Sequence, residues 1–299
     1  MLRKGKGTGM ALSPVDMSNK VCIVTGGTSG IGWVTTFQLA QWGATVLLIG
    51  RDLQRGLAAE ERIRSEAGNR SVKFFQTDLA AQDQIHQFVS AFHQGYDRLD
   101  VLVNNAGITL LTRRLSEAGV EMTFAVNHLG HFLLTNLLLN TLKESAPSRV
   151  INVSSGSHRG AQIDFDNLRG ESGYRGLQAY GQSKLANVLF TYELARRMEG
   201  TGVTVNAVHP GFVLTNLGRD NGWLIHKIIR LAMRLRGISS EEGAETLIYL
   251  ATSPELERVT GKYFHKIKPV ETSPQSYNSD TALRLWEISE ELTGLGPSS

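Results

Sequence analysis

Val21-Cys22-Ile23-Val24-Thr25-Gly26-Gly27-Thr28-Ser29-Gly30-Ile31-Gly32 decides how the rest of the chain is read. Val21 to Val24 is a short unbroken apolar run, the pattern of a strand buried on both faces, and Trp33 to Ala40 resumes apolar residues at helical spacing. The segment between them is therefore a tight strand-to-helix turn. Gly26, Gly30 and Gly32 let the backbone bend sharply and approach a ligand, and the free N–H groups opening the next helix favour a pyrophosphate. With Thr28, Ser29 and Ile31, they read as a dinucleotide cradle. A glycine-rich bend between any strand and helix reads much the same, and three residues separate Gly26 from Gly30 where the common nucleotide fingerprint has one. The later strand ends must therefore decide between the two.

The chain has 299 residues, 41% apolar and 20% charged, enough for one large α/β domain. A net charge of +3 is too small an excess to indicate a nucleic-acid partner and is compatible with an anionic cofactor. The single cysteine, Cys22, excludes an intrachain disulfide, and the scattered histidines lack zinc spacing, so no metal site is expected. No apolar window reaches the length of a transmembrane helix. Residues 1–18, with Arg3, Lys4 and Lys6 among glycines, read as a flexible lead-in without the apolar core of a secretory signal. A cytoplasmic location, extending at most to a membrane surface, is the expectation. Residues 19–295 read as a single domain.

Ala44 to Ile49 is a second buried strand, ending at Gly50-Arg51-Asp52. In a dinucleotide fold an acid here binds the ribose 2′-hydroxyl of NAD, whereas an arginine meets the 2′-phosphate of NADP. Gly50 stands where the acid would be and Arg51 comes next, so NADP(H) is preferred over NAD(H); the plainer alternative makes Arg51 a solvated helix-start residue. The third strand, Val72 to Gln76, leads to Asp78 and Leu79, where Asp78 could accept from the adenine amine or cap the helix beginning near Gln82. The fourth, Leu99 to Val103, runs into Asn104-Asn105-Ala106-Gly107, whose small and amide residues admit a flat ligand. This alternation predicts an α/β Rossmann fold: a doubly wound parallel sheet of about seven strands with helices on both faces, opening a crevice at the ends of the first and fourth strands.

A long helix is expected from about Ala118 to Ser145. Its run Phe132-Leu133-Leu134 and Leu137-Leu138-Leu139 is too apolar for solvent and must be covered, by core or by the second subunit of a homodimer. Asn127 interrupts that pattern. The fifth strand, Arg149 to Val153, exits through Ser154 and Ser155, and Tyr180-Gly181-Gln182-Ser183-Lys184 opens a helix running to about Glu199. Positions i and i+4 share a helical face, so Tyr180 and Lys184 can point into one site. After the sixth strand, Val203 to Val208, comes His209-Pro210-Gly211-Phe212-Val213-Leu214-Thr215. There Pro210, Gly211, Val213 and Thr215 can offer a hydroxyl and backbone donors to a nicotinamide carboxamide and pyrophosphate, and His209 reads as a core histidine bonded to backbone. Residues 221–237 mix Trp223, Leu224 and Ile225 with His226, Arg230 and Arg234. They read as a lid helix over a substrate cleft or, secondarily, as a peripheral membrane contact through 223–236.

In this order, the motifs resemble the short-chain dehydrogenase/reductase family. Leu129-Gly130-His131-Phe132-Leu133-Leu134, Ser183-Lys184-Leu185-Ala186-Asn187, Ser253-Pro254-Glu255-Leu256, Gly261-Lys262-Tyr263-Phe264 and the extra loop 159–175 resemble its retinol dehydrogenase-like branch. The likeness runs from Asn19 to Leu295. It implies hydride transfer between NADP(H) and a carbonyl or alcohol, with Tyr180 as general acid/base and Ser155 binding the substrate oxygen. It also implies that Lys184 and the positive charge of oxidised nicotinamide together lower the phenol's pKa by about 3 units and that Asn127 kinks its helix and holds a relay water. The resemblance implies carbonyl reduction of a lipophilic retinoid, steroid or polyprenoid. Two other readings compete. A non-catalytic NADP-binding sensor or scaffold would show a broken Tyr/Lys/Ser set, and a nucleotide-sugar epimerase needs a larger domain after Thr215 than this chain provides.

Overall fold

The computed structural model of the chain describes residues 12–212 and 238–296. Strands β1 (Val21–Thr25), β2 (Thr45–Gly50), β3 (Val72–Gln76), β4 (Val101–Asn104), β5 (Ser148–Val153), β6 (Val203–His209), β7 (Lys262–His265) and β8 (Lys268–Pro269) form one sheet in the order β3-β2-β1-β4-β5-β6-β7-β8. All neighbours pair in parallel except β7 and β8. The eighth strand is one more than the sequence predicts. At two residues, reached through the left-handed Lys266 and Ile267, it is too short for any alternation to show.

Side chains alternate across the sheet, so Cys22 and Val24 enter one core while Val21 and Ile23 enter the other. Helices α1 (Gly30–Gln41) and α2 (Leu53–Ala67) contribute to the first core. The second takes residues from α3 (Gln82–Gly95) and from the helices that come after β4. Apolar cover on both faces is why these strands read as unbroken apolar runs. From β1 the chain winds outward through β2 and β3, then returns to place β4 on the other side. The loops after β1 and β4 therefore diverge, and the crevice opens between them.

The helix expected over Ala118 to Ser145 is divided. Glu121 caps α4 (Met122–Phe124) by accepting from the Phe124 N–H at 2.8 Å; a π-helical turn, Ala125–Leu129, is next, then α5 (Gly130–Leu137) and α6 (Leu139–Glu144). Asn127 sits in the π turn, a common place for one at functional sites. Gly130 is required next, because a Cβ there would lie 2.3 Å from the Leu79 carbonyl oxygen. Phe132, Leu133, Leu134 and Leu138 are buried within the chain. Part of their cover comes from α9 (Ser279–Thr293), which packs against α7 (Gly176–Arg197) and sets Trp286 edge-on to Phe132 at 4.9 Å. Leu137 and Leu139, from the same run, remain only partly buried. α8 (Ser240–Thr252) closes the other face against α1.

Two further boundaries differ from expectation. Part of the segment 12–18, assigned to a flexible lead-in, is anchored: Met17 is buried, its N–H bonds the Trp42 carbonyl at 2.8 Å, and Leu12 and Val15 lie on the core, while Ser13, Pro14, Asp16 and Ser18 are exposed. Helix α7 begins at Gly176, before Tyr180, and its first turn presses so closely on Leu110 that a Cβ at position 176 would sit 2.1 Å from the Leu110 oxygen. Among the described residues no helix is long and apolar enough to cross a membrane. The expected lid, 221–237, its membrane-facing stretch 223–236, and Val213 and Thr215 lie outside the described residues.

Candidate active site

The ends of β1, β2, β4, β5 and β6 surround a cleft of about 320 Å³. Gly26 and Gly30 at its floor have φ of +66° and +56°, which side-chain-bearing residues rarely adopt, and a Cβ on Gly32 would lie 2.3 Å from the Gly26 oxygen. Ser29 is the N-cap of α1 but makes no side-chain cap, so the helix start faces the cleft with its amides not taken by that hydroxyl. Thr28, Ile31, Gly50, Arg51, Asp78 and Leu79 line the same wall. So does Arg55, which the sequence pattern does not single out although it lies one helical turn after Arg51. It is ion-paired with Asp52, and Asp52 Oδ1 also caps α2 by accepting the Arg55 N–H at 3.0 Å. Asp78 does not cap α3; its carboxylate accepts the Ala80 N–H at 2.9 Å within its own turn.

The loop after β4 is held from two sides. The Thr25 hydroxyl accepts N–H bonds from Asn105 at 2.8 Å and Ala106 at 2.9 Å, and the Asn105 side chain donates to the Thr25 carbonyl at 2.8 Å. Asn127 grips the other end: its Oδ1 accepts the Ile108 N–H at 2.8 Å and its Nδ2 donates to the Ile108 carbonyl at 2.9 Å. This amide is fully buried and also reaches Ser183 Oγ at 3.0 Å. Gly107 lies between, with Lys184 Nζ and Asn127 Oδ1 each 3.5 Å from where its Cβ would be.

Tyr180, Lys184 and Ser155 meet at the far end of the cleft. Lys184 is buried, donates to the Val153 carbonyl at 3.1 Å, and places its ammonium 5.6 Å from the Tyr180 ring centre. Burial pushes the Tyr180 phenol up to about 12, a hydrogen bond with Ser155 opposing it, and pushes Lys184 down to about 8. In the protein alone loss of water dominates both groups; the expected depression of the phenol draws also on the charge of oxidised nicotinamide. Ser155 caps a 3₁₀ turn, its Oγ accepting from the Ser157 N–H at 3.2 Å. Behind it the fully buried His158 bonds the Ser155 carbonyl through Nδ1 at 2.7 Å. His209 is half-buried and bonded to backbone as expected, its Nδ1 accepting the Gly211 N–H at 3.3 Å, and it lines the cleft beside Pro210 and Gly211.

Beyond Tyr180, two distant loops are tied together. The Tyr174 hydroxyl, in the extra loop 159–175, lies 2.8 Å from the Leu110 carbonyl oxygen and 3.0 Å from Glu121 Oε1, and Arg113 Nε donates to the Arg169 carbonyl at 2.8 Å. Exposed Leu111 and Leu177 stand at this edge.

Residues 20–222 match the family model described as short chain dehydrogenase. The chain belongs to this family. Among short-chain dehydrogenases it is 44% identical to human retinol dehydrogenase 13 over 96% of this chain and 88% of that protein. It is 43% identical to human retinol dehydrogenase 14 over 98% and 90% of the two chains. A solved structure of an uncharacterized protein from Mycobacterium paratuberculosis aligns with a TM-score of 0.76 at 33% identity, covering 94% of this chain and 95% of that one. As a short-chain dehydrogenase related to retinol dehydrogenases, the chain is an oxidoreductase that uses a nicotinamide cofactor. The glycine cradle, the helix start facing it and the amide loop opposite suit such a dinucleotide. Among the described residues no group of acidic, histidine or cysteine side chains could hold a metal ion.

Proposed function

We propose that this short-chain dehydrogenase is an NADP(H)-dependent reductase of lipophilic aldehydes or ketones, with retinoids as the favoured class and steroids and polyprenoids as further candidates. The observation that carries the reading is the meeting of Tyr180, Ser155 and Lys184 in the same cleft as the glycine cradle. Gly26, Thr28 to Gly32, Asp78, Leu79, Asn105 to Gly107, Pro210 and Gly211 would hold the cofactor, Val213 and Thr215 completing the set. Arg51 and Arg55 give the ribose end two cations suited to a 2′-phosphate. When bound, the cofactor supplies the hydride.

The chain's own residues handle the oxygen and its proton. A phenol pushed up to about 12 keeps its proton near neutrality, the state needed to donate to a carbonyl oxygen as it gains negative charge. Ser155 donates a hydrogen bond to the same oxygen, stabilising that charge. Lys184, pushed down to about 8, is still mostly protonated at neutral pH and can return a proton to Tyr180. Asn127 fixes the loop through Ile108 and supports the relay from Lys184 through its carbonyl oxygen. The apolar edge at Leu111 and Leu177, and the similarity to proteins named retinol dehydrogenases, support a lipophilic substrate.

The test is oxidation of NADPH, beside NADH, against retinal, steroid ketones, polyprenals and short aldehydes. Tyr180→Phe should cut turnover by roughly 10²–10⁴-fold, the usual contribution of a general acid, while NADPH binding stays within a few-fold. Retained turnover would remove Tyr180 from the mechanism. Tight NADPH binding with no turnover on any substrate would favour the sensor or scaffold reading.

A further inference from the structure

We propose that His131 is a positioning residue that joins the cofactor-side loop to the Asn127 turn, so that the two ends of the cleft are held as one body. The proposal deepens the reductase reading and rests on it for its kinetic consequence.

His131 is buried on the first turn of α5. Its Nδ1 is 3.0 Å from the Asn127 carbonyl oxygen and its Nε2 is 2.9 Å from Thr25 Oγ1. A carbonyl has no proton to give, so Nδ1 must be the donor. Burial, with the Asn127 bond opposing and the Lys184 charge nearby reinforcing, pushes the ring down to about 3 and keeps it neutral. A neutral ring with its proton on Nδ1 has a bare Nε2, so the Thr25 hydroxyl donates to it. Thr25 has one proton and two lone pairs. The competing acceptor, the Val103 carbonyl, is farther at 3.3 Å. With its proton on His131, the hydroxyl turns its lone pairs to the Asn105 and Ala106 N–H groups. Each hydrogen bond in the chain thus has one direction, from the amides through Thr25 and the imidazole to Asn127.

The consequence is geometric. Asn127 grips Ile108 by its side chain and His131 by its carbonyl, while His131 holds Thr25, which holds Asn105 and Ala106. The segment facing the cofactor is closed into a ring of hydrogen bonds that contains the residue supporting the relay. An apolar side chain at 131 could fill the same space but would take the imidazole donor from the Asn127 oxygen and release Thr25 toward Val103.

Two amides separate the links. Asparagine puts an amide nitrogen near the position of Nδ1 and keeps the Asn127 bond only; glutamine puts an amide oxygen near that of Nε2 and keeps the Thr25 bond only; leucine keeps neither. In protein without cofactor, nitrogen NMR should find the His131 ring neutral with its proton on Nδ1 at pH 7. Hydrogen exchange at Asn105 and Ala106 should be roughly tenfold faster in H131N and H131L than in wild type, with H131Q close to wild type, tenfold being the effect of about one hydrogen bond. Thr25→Val, which removes the acceptor of both amides, should exceed H131N, and Thr25→Ser should restore the wild-type rate. With NADPH, H131N should lose mainly affinity, H131Q mainly kcat, and H131L both. A proton on Nε2, or exchange and kinetic losses that merely track the fall in melting temperature whatever the side chain, would overturn the proposal. If wild type neither binds nor oxidises NADPH, the reductase reading fails, while the ring proton and the exchange rates still decide the network.

Discussion

The cleft and the loops beyond Tyr180 are built differently. At the cofactor end, short main-chain segments lie at the tips of neighbouring strands, and the decisive features are left-handed glycines and backbone amides within a few residues of each other. Beyond Tyr180, outside the lining of the cleft, long loops far apart in sequence are tied by side chains, Tyr174 to Leu110 and Glu121, Arg113 to Arg169. Local geometry fixes the first, and a single substitution can block it; the second is a set of separate ties that loosen one at a time.

That contrast predicts a ranking of effects. The largest belongs to Gly32→Ala: with its Cβ driven to 2.3 Å from the Gly26 oxygen, the turn has to open, and NADPH affinity should fall by more than roughly a hundredfold in a fluorescence titration. Binding at wild-type strength would mean that the turn is not the cradle. Next comes Arg51→Asp, which should weaken NADPH by roughly ten- to a hundredfold and NADH far less, as loss of charge-assisted contacts to a phosphate requires. Equal losses for both would sink the 2′-phosphate assignment. In the outer loops, Tyr174→Phe removes one tie and should cost about 1 kcal/mol, read as a several-fold rise in the carbonyl substrate's KM with NADPH affinity unchanged. A comparable loss of NADPH affinity would show that the two regions are not separable there.

The smallest effect falls on the interior that carries both regions. His128 and His131 are both pushed down to about 3 by burial, against an unfolded value of 6.5. Because these folded values are depressed, the stability they contribute is complete above pH 6.5 and declines as pH falls toward 3, where the unfolded chain binds protons that the folded chain refuses. Between pH 7 and 6 the loss should be about 0.7 kcal/mol per histidine, and H131Q should remove its own share. Thermal melts across that interval measure it; an unchanged slope in H131Q would place the proton uptake elsewhere.

The same contrast explains what could be read from the amino-acid order. The glycine turn, the Asn105 to Gly107 loop and the pair Tyr180 and Lys184 are motifs in which one short spacing determines one geometry, and each contributes to the lining of the cleft. Arg55 was missed although its i+4 relation to Arg51 was visible, because an arginine in the first turn of a charged helix reads as solvated. The depressed phenol was a charge argument, whereas the shifts are set by how much water the fold removes, which no spacing encodes. The π turn at Asn127 is invisible to a 3.6-residue period, and Tyr174 reaches Glu121, and Thr25 reaches His131, only through the tertiary fold. Met17 and its neighbours looked like a lead-in because their cover comes from α1 and the start of β2, not from their own pattern.

Helix α9 carries a consequence for the newborn chain. Phe132 and Phe190 form an aromatic face that Trp286 closes at 4.9 and 5.8 Å. Residues 20–212 can emerge from the ribosome with every strand tip of the cleft in hand while that face is still bare. Until residues 279–293 are translated, the nascent protein displays a sticky aromatic surface to chaperones and to neighbouring copies. A message cut short before Trp286 should yield aggregates despite an intact glycine turn.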